Sequence, residues 1–248
     1  MNAKEVIKLN KYVLITGASG GIGREIALLL AKEGYSLYLH YHQNAPSIRE
    51  LLHLLSTYNG EYIPIQADLS TRDGYQKIAD NIFSIDAIVH NSGISHYGLF
   101  VDTDPDILEK MNMIHLTSPL LLTKELLPKM IRQKHGNILF ITSIWGQTGA
   151  ACEVVYSTVK GAQIAFIKSL SKEMALNGIR VNGIAPGAVE TSMLSQFSEQ
   201  ELEIVKGEIP MGRFAHTEDI AESVSFLISE KASYITGQIL GVNGGWYT

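Results

Sequence analysis

Short runs of β-forming residues alternate along the chain with longer stretches of helical periodicity. The predicted strands span Tyr12 to Thr16, Ser36 to Tyr41, Tyr62 to Gln66, Ala87 to His90, Asn137 to Thr142, Arg180 to Ile184 and Gln238 to Val242. Strands that alternate with helices form parallel βαβ units, and right-handed crossovers place the helices on both faces of the sheet. The sequence therefore predicts an α/β protein with a doubly wound parallel sheet.

The intervening segments show helical periodicity, and glycines follow three of them. The predicted helices span Ile22 to Glu33, Pro46 to Tyr58, Arg72 to Phe83, Pro105 to Lys134, Val154 to Asn177 and Thr217 to Ser229. Gly34, Gly136 and Gly178 stand where a left-handed cap is needed. No linker or repeat divides the chain, so residues 1–248 are predicted to form a single domain.

One segment, Gly187 to Arg213, interrupts the alternation. Its apolar residues indicate a short helical cover over a substrate pocket at about 187–215, with ordinary core as the alternative: Met193, Leu194, Phe197, Ile204, Met211 and Phe214.

Composition restricts the partners and the compartment. The net charge is −5 and no basic block is present, which argues against a nucleic acid or an anionic membrane as partner. No apolar run approaches the roughly 18 residues of a membrane span. Cys152 is the only cysteine, so no internal disulfide forms. We expect a cytoplasmic protein, and no metal site is predicted.

A glycine-rich turn joins the first strand to the first helix and reads Thr16-Gly17-Ala18-Ser19-Gly20-Gly21-Ile22-Gly23. Backbone N–H groups in such a turn can approach a pyrophosphate without side-chain obstruction. A tight structural turn is the alternative. The position between a strand and a helix favours dinucleotide binding by a Rossmann-type domain.

The end of the second strand indicates which dinucleotide binds. A carboxylate there would hydrogen-bond the ribose of NAD and repel the additional phosphate of NADP, and none occurs from Leu39 to Asn44. The sequence therefore favours NADP(H), with His42 as a partner for the 2′-phosphate. Neither arginine nor lysine occupies this stretch, and Gly20 leaves a second basic position empty.

Two further strand ends carry polar residues. Asp68, followed by Leu69, closes the third strand and is predicted to contact the adenine, with capping of the next helix as the alternative. The fourth strand ends in Asn91-Ser92-Gly93, at the switch point where a ligand crevice is expected, although a plain loop turn is also compatible.

Ser143, Tyr156 and Lys160 are the candidate catalytic residues. Of eleven tyrosines, only Tyr156 has a lysine four residues later, which places both side chains on one face of a helix. A nearby ammonium is expected to lower the phenol pKa toward the range where proton transfer is effective. Ser143 taken alone could equally be a strand-end hydroxyl that satisfies the backbone.

Together these motifs resemble the short-chain dehydrogenase/reductase family over nearly the whole chain, and within it the bacterial 3-oxoacyl-[acyl-carrier-protein] reductases of fatty acid biosynthesis. The resemblance implies that Ser143 binds the substrate carbonyl, Tyr156 protonates the alkoxide, and Lys160 holds the nicotinamide ribose. It also implies a homotetramer, and a nicotinamide side lined by Pro186, Gly187, Val189 and Thr191.

The chain departs from the family pattern at three places. His115 replaces the asparagine that holds a relay water in relatives; it is expected either to hold the same water and titrate near neutrality, or to be a structural histidine. Lys134 keeps one carrier-docking charge, but Asn177 stands where relatives have the other. Glu153, in the loop that follows Trp145, places a carboxylate near the substrate and suits an ammonium group.

The last departure keeps a second substrate open. Segments around His115 and Trp145 are similar to a Gram-positive subgroup that reduces the 5-aminopentanone modification on elongation factor P. Both candidates are ketones tethered to a protein. A non-catalytic NADP sensor on the same fold is the third, remote alternative.

Overall fold

A computed structural model describes residues 11–191, 194 and 198–248. In these residues seven parallel strands form one sheet in the order β3-β2-β1-β4-β5-β6-β7. The strands are β1 (Tyr12–Ile15), β2 (Ser36–Tyr41), β3 (Tyr62–Gln66), β4 (Ala87–His90), β5 (Gly136–Ile141), β6 (Ile179–Pro186) and β7 (Ile239–Val242). The predicted doubly wound, Rossmann-type sheet is confirmed.

Helices cover both faces of the sheet. They are α1 (Gly21–Lys32), α2 (Ala45–Leu55), α3 (Gly74–Ala79), α4 (Pro105–Asn112), α5 (Ser118–Gln133), α6 (Trp145–Thr148), α7 (Val154–Met174), α8 (Glu199–Glu208) and α9 (Thr217–Ile228). Alternate residues of each buried strand face opposite sides, so the sheet separates two apolar cores. One core packs against α1, α2 and α9, and the other against α3, α5 and α7.

Four local predictions need correction. Gly136 is the first residue of β5 and caps no helix; Lys134 takes the left-handed conformation at φ 51°. The helix predicted over 105–134 is divided by a five-residue π-helix, Met113–Thr117. The helix predicted over 72–83 is reduced to α3, and the one over 154–177 ends in a 3₁₀ turn, Ala175–Asn177.

The order of the strands determines where a ligand crevice can form. The chain moves outward from β1 to β2 and β3, then returns to place β4 against the other side of β1, where Ile15 is in register with Val89. Loops at the carboxyl ends of β1 and β4 therefore diverge to opposite faces and leave a gap between them. Among the described residues, no helix is both long and apolar enough to cross a membrane.

Candidate active site

A cavity of about 960 Å³ opens at this switch point. It collects nearly all of the predicted site residues: Gly17, Ser19, Gly20, Gly21, Ile22, His42, Asp68, Leu69, Asn91, Ser92, Gly93, His115, Ser143, Trp145, Glu153, Tyr156, Lys160, Pro186, Gly187, Val189 and Thr191. Ala18 and Gly23 do not line it; both are buried within the glycine loop and the start of α1. Met193 and Phe197, predicted in the covering segment, lie outside the described residues.

The glycine loop is built for close backbone approach. Gly17 has φ +70°, a conformation that side chains other than glycine rarely adopt. A Cβ at Gly23 would collide with the carbonyl oxygen of Gly17, so the start of α1 can pack against the loop only without a side chain there. The first-turn N–H groups of α1, from Gly21 onward, have no intrahelical acceptor and carry the positive end of the helix dipole.

The end of β4 holds this loop in place. The Asn91 side-chain amide donates to the carbonyls of Thr16 (3.1 Å) and Gly17 (3.2 Å). In return, the Thr16 hydroxyl accepts from the backbone N–H groups of Asn91 and Ser92, at 3.0 and 3.1 Å. Asn91 thus acts on the loop through its side chain, a function that the sequence motif alone did not predict.

The far end of the cavity is formed by His42 and Asp68. The His42 Nε2 atom lies 3.4 Å from a carboxylate oxygen of Asp68. Asp68 also accepts hydrogen bonds from the Ser70 N–H and hydroxyl, so it closes a local turn and does not cap α3, whose N-cap is Asp73. Burial opposes ionisation of Asp68, but these bonds and nearby positive charge outweigh it and lower the pKa of the carboxyl.

Ser143, Tyr156 and Lys160 meet at the centre of the cavity. Ser143 follows β5, and its hydroxyl favours the ionised form of the Tyr156 phenol. Lys160 lies one turn further along α7; its Nζ atom donates to the Ile141 carbonyl at 2.7 Å and is 5.4 Å from the centre of the Tyr156 ring. The α7 spacing and the end of β5 therefore bring the three residues together.

The electrostatics differ from the expectation that Lys160 lowers the phenol pKa. Burial, followed by the negative charge of Glu153, raises the pKa of Tyr156 above its usual value, and the Ser143 hydroxyl opposes this only in part. Burial also lowers the pKa of Lys160 from its ordinary 10.5 to about 7. The cause is shared: removal from water disfavours the charged form of both groups. The phenol is therefore held firmly in its protonated form.

His115 lies in the π-helix, and its ring makes an edge contact with Tyr156 at 5.6 Å between centroids. Its Nε2 atom is 2.8 Å from the Ile94 carbonyl oxygen, and Nδ1 is buried with no partner among the described residues. Burial, together with the positive charge of Lys160, lowers the pKa of His115 to about 3. Both effects oppose the expectation that His115 titrates near neutrality.

The wider end of the cavity carries aromatic and acidic groups. Trp145 and Trp246 pack edge to face at 5.1 Å. Burial raises the pKa of Glu153, which is half-buried at the cavity wall. Two carboxylates of α8, Glu201 and Glu208, also line the cavity together with apolar side chains of the same helix.

Several lining residues escaped the sequence analysis. The spacing of the α8 carboxylates in the sequence does not indicate that they line the cavity, because the position of this helix is set by long-range packing. Gln163, which does not line the cavity, was also missed; its side-chain amide donates to the His115 carbonyl at 2.6 Å. A signal did exist for His40, which follows the run Leu37-Tyr38-Leu39 in β2 and is only 2% exposed.

Comparison with known proteins places this geometry in a family. The model of the family described as enoyl-(acyl carrier protein) reductase, a group of short-chain dehydrogenases, matches residues 17–247. The uncharacterized oxidoreductase YmfI of Bacillus subtilis (strain 168) is 54% identical over 241 residues, covering 96% of this chain and 100% of that protein. A 3-oxoacyl-[acyl-carrier-protein] reductase of Aquifex aeolicus is 38% identical, covering 97% and 99% of the two chains.

A solved structure agrees with these matches. YwfH, described as an NADPH-dependent reductase involved in bacilysin biosynthesis, superposes with a TM-score of 0.89 at 26% identity, over 96% of this chain and 99% of that one. With the glycine loop and the Ser143, Tyr156 and Lys160 cluster in one cavity, the chain belongs to the short-chain dehydrogenase/reductase family of oxidoreductases.

Proposed function

We propose that the protein reduces a ketone with hydride from NADPH. The observation that carries this proposal is that Ser143, Tyr156 and Lys160 line the same cavity as the glycine loop. The residues fit a dinucleotide, because a Cβ at Gly17 or Gly23 would crowd the loop and because the first-turn N–H groups of α1 are suited to bind an anion. NADPH supplies the hydride when bound.

Each central residue has a distinct task in this proposal. Ser143 donates a hydrogen bond to the ketone oxygen and positions it next to Tyr156. Tyr156 transfers its hydroxyl proton to that oxygen as negative charge develops there. Lys160 binds the nicotinamide ribose from its position at the Ile141 carbonyl, and Pro186, Gly187, Val189 and Thr191 form the wall on the nicotinamide side.

The far end of the cavity supports NADP(H) over NAD(H). From Leu39 to Asn44 no carboxylate repels a 2′-phosphate, and the imidazole of His42 lies at the cavity wall. The imidazole offers ring nitrogens that can hydrogen-bond a phosphate, and its Nε2 atom lies 3.4 Å from Asp68. The relative YwfH is described as NADPH-dependent.

Two ketone classes have support as substrates. The 3-oxoacyl thioesters of a carrier protein are favoured by the named activity of the Aquifex aeolicus relative. An amine-bearing ketone, such as 5-aminopentanone on elongation factor P, is favoured by the lining carboxylates Glu153 and Glu208. Docking of an acidic carrier protein has less support, because Lys134 keeps one of the two docking charges of carrier-dependent relatives and Asn177 replaces the other.

One experiment tests both the proposed ketone reduction and the class of ketone that is reduced. NADPH oxidation is followed with a 3-oxoacyl thioester and with aminopentanone-modified elongation factor P, for the wild type and for Glu153→Gln. An amine substrate predicts a KM that rises in Glu153→Gln, whereas a thioester substrate predicts little change. NADPH binding without oxidation of any ketone in a broad panel would instead support a sensor and refute the reductase.

We further propose that residues 187–215 cover the substrate and that the protein is a homotetramer. Side chains of α8 line the cavity, as a cover requires. The long helices α5 and α7 are the surfaces through which family members pair. Sedimentation at micromolar concentration should give the tetramer mass, and a monomer alone would refute this assembly.

A further inference from the structure

We propose that His40 is a positioning residue that fixes the Gly17 peptide for the dinucleotide and does so only as one neutral tautomer. This inference rests on the proposed NADP(H) binding. His40 is the fifth residue of β2, lies directly beneath the glycine loop, and is 2% exposed.

The imidazole joins segments from four strands. Its Nδ1 atom accepts the backbone N–H of Gly17 at 3.2 Å, with the Ser92 hydroxyl at 3.4 Å from the same nitrogen. Its Nε2 atom lies 3.1 Å from the carbonyl oxygen of Ala67, the residue after β3. One ring therefore connects the loop after β1 with the ends of β3 and β4.

The partners fix the position of the ring proton. A carbonyl can only accept, so Nε2 must carry a hydrogen toward Ala67. A backbone N–H can only donate, so Nδ1 must be bare toward Gly17. Neither partner can change its protonation state. A second proton on the ring would lie on Nδ1, where it would face the Gly17 N–H, and two donors cannot hydrogen-bond each other.

The surroundings of the ring keep it neutral. Burial lowers the pKa of His40 to about 4; the Ala67 carbonyl and Asp68 oppose this shift, and His42 reinforces it. His42 and Asp68 are the titratable side chains that act on the ring. The acceptor for Gly17 is consequently present throughout the neutral pH range.

The position of the Gly17 peptide depends on His40 because Asn91 binds carbonyl oxygens of the loop and not the Gly17 N–H. Asn91 binds the carbonyl oxygens of Thr16 and Gly17, whereas His40 binds the Gly17 N–H. Without that acceptor the peptide can rotate, and a dinucleotide must then restore the loop conformation on binding. The consequence is weaker NADPH binding with turnover at saturating NADPH unaltered.

Matched substitutions separate the two ring nitrogens. In His40→Asn the amide oxygen reaches the position of Nδ1, whereas in His40→Gln the amide reaches toward Ala67 and leaves Gly17 without an acceptor. We expect His40→Asn to keep the NADPH dissociation constant within about twofold of wild type, and His40→Gln to raise it by about 3- to 10-fold, as expected for one hydrogen bond.

The control variant is His90→Gln. His90 is also a buried histidine, but its hydrogen bond and ring contact are to Thr123 and Phe140 and not to the glycine loop. Thermal midpoints without NADPH measure the structural effect of each change, and nucleotide fluorescence measures binding. A structural role alone predicts NADPH affinities that follow the thermal midpoints, with His90→Gln affected like His40→Gln.

A second measurement needs no cofactor. In ligand-free protein with ¹⁵N-labelled histidine, the His40 signals, identified by their loss in His40→Asn, should show a proton on Nε2 only at pH 5.5 to 8. A proton on Nδ1, or titration between pH 6 and 7, would overturn the inference. So would wild-type affinity in His40→Gln; failure of the wild type itself to bind NADPH would instead refute the proposed function.

Discussion

Lys160→Met should stabilise the protein while abolishing its activity. The Lys160 ammonium is buried with the Ile141 carbonyl at 2.7 Å, and its pKa falls from 10.5 to about 7. This difference from the unfolded chain corresponds to about 4 kcal/mol of destabilisation at pH 7. Methionine keeps the length of the side chain and removes the charge, but leaves the Ile141 carbonyl without its donor, which costs about 1–3 kcal/mol. The net expectation is a gain of about 2 kcal/mol.

The pH dependence of this gain identifies its cause. The folded-state pKa of Lys160 is depressed, so the penalty is absent above the unfolded value of 10.5 and complete below about 7. The wild type therefore becomes more stable between these limits as pH rises, and the advantage of Lys160→Met should be about 2 kcal/mol smaller at pH 9 than at pH 7. Urea unfolding without cofactor, at equal protein concentration, measures both values. A variant less stable than wild type at pH 7, or a gap independent of pH, would refute the reasoning.

Three further outcomes are expected. Tyr156→Phe should lower turnover by at least about 100-fold, the loss typical of a positioned acid, while NADPH affinity stays at the wild-type value in a fluorescence titration. Tyr41→Asp should shift the ratio of kcat/KM values toward NADH, because the new carboxylate repels a 2′-phosphate; an unchanged ratio would contradict the assignment of this strand end. Because burial lowers the pKa of His115 to about 3, the pH profile of turnover in His115→Asn should keep its shape between pH 5 and 8, whereas His115→Leu should turn over more slowly. An inflection near pH 6.5 that disappears in His115→Asn would show that the imidazole titrates.

The sheet could be predicted because its determinants are local and repeated. Each strand, such as Val13 to Ile15, is a short apolar run followed by a longer stretch of helical period, and the handedness of the crossovers leaves few ways to order such units. The glycine loop was equally accessible, since residues other than glycine rarely adopt the φ of Gly17 and a side chain at Gly23 would collide with the loop. Both predictions depend on backbone sterics, which a sequence records directly.

Protonation states could not be predicted in the same way. The spacing of Tyr156 and Lys160 correctly indicates that they share a helix face, but the pKa of each depends on how much water the whole fold removes. His115 shows the same limit, because its neutral state follows from burial between α7 and the loop after β4. The π-helix and the carboxylates of α8 also depend on contacts distant in sequence.

The protonation states of the cavity bear on the direction of catalysis. A raised pKa keeps Tyr156 protonated over the working range, which suits a group that must give a proton to a developing alkoxide, itself a stronger base than a phenolate. Alcohol oxidation would instead need the phenolate as a base, and both burial and the negative charge of Glu153 oppose that form. The neighbouring Lys160, with a pKa of about 7, can return a proton to the phenolate at neutral pH once the alcohol has formed. These protonation states, a protonated Tyr156 and a Lys160 able to give up a proton near pH 7, are the ones that the proposed ketone reduction requires.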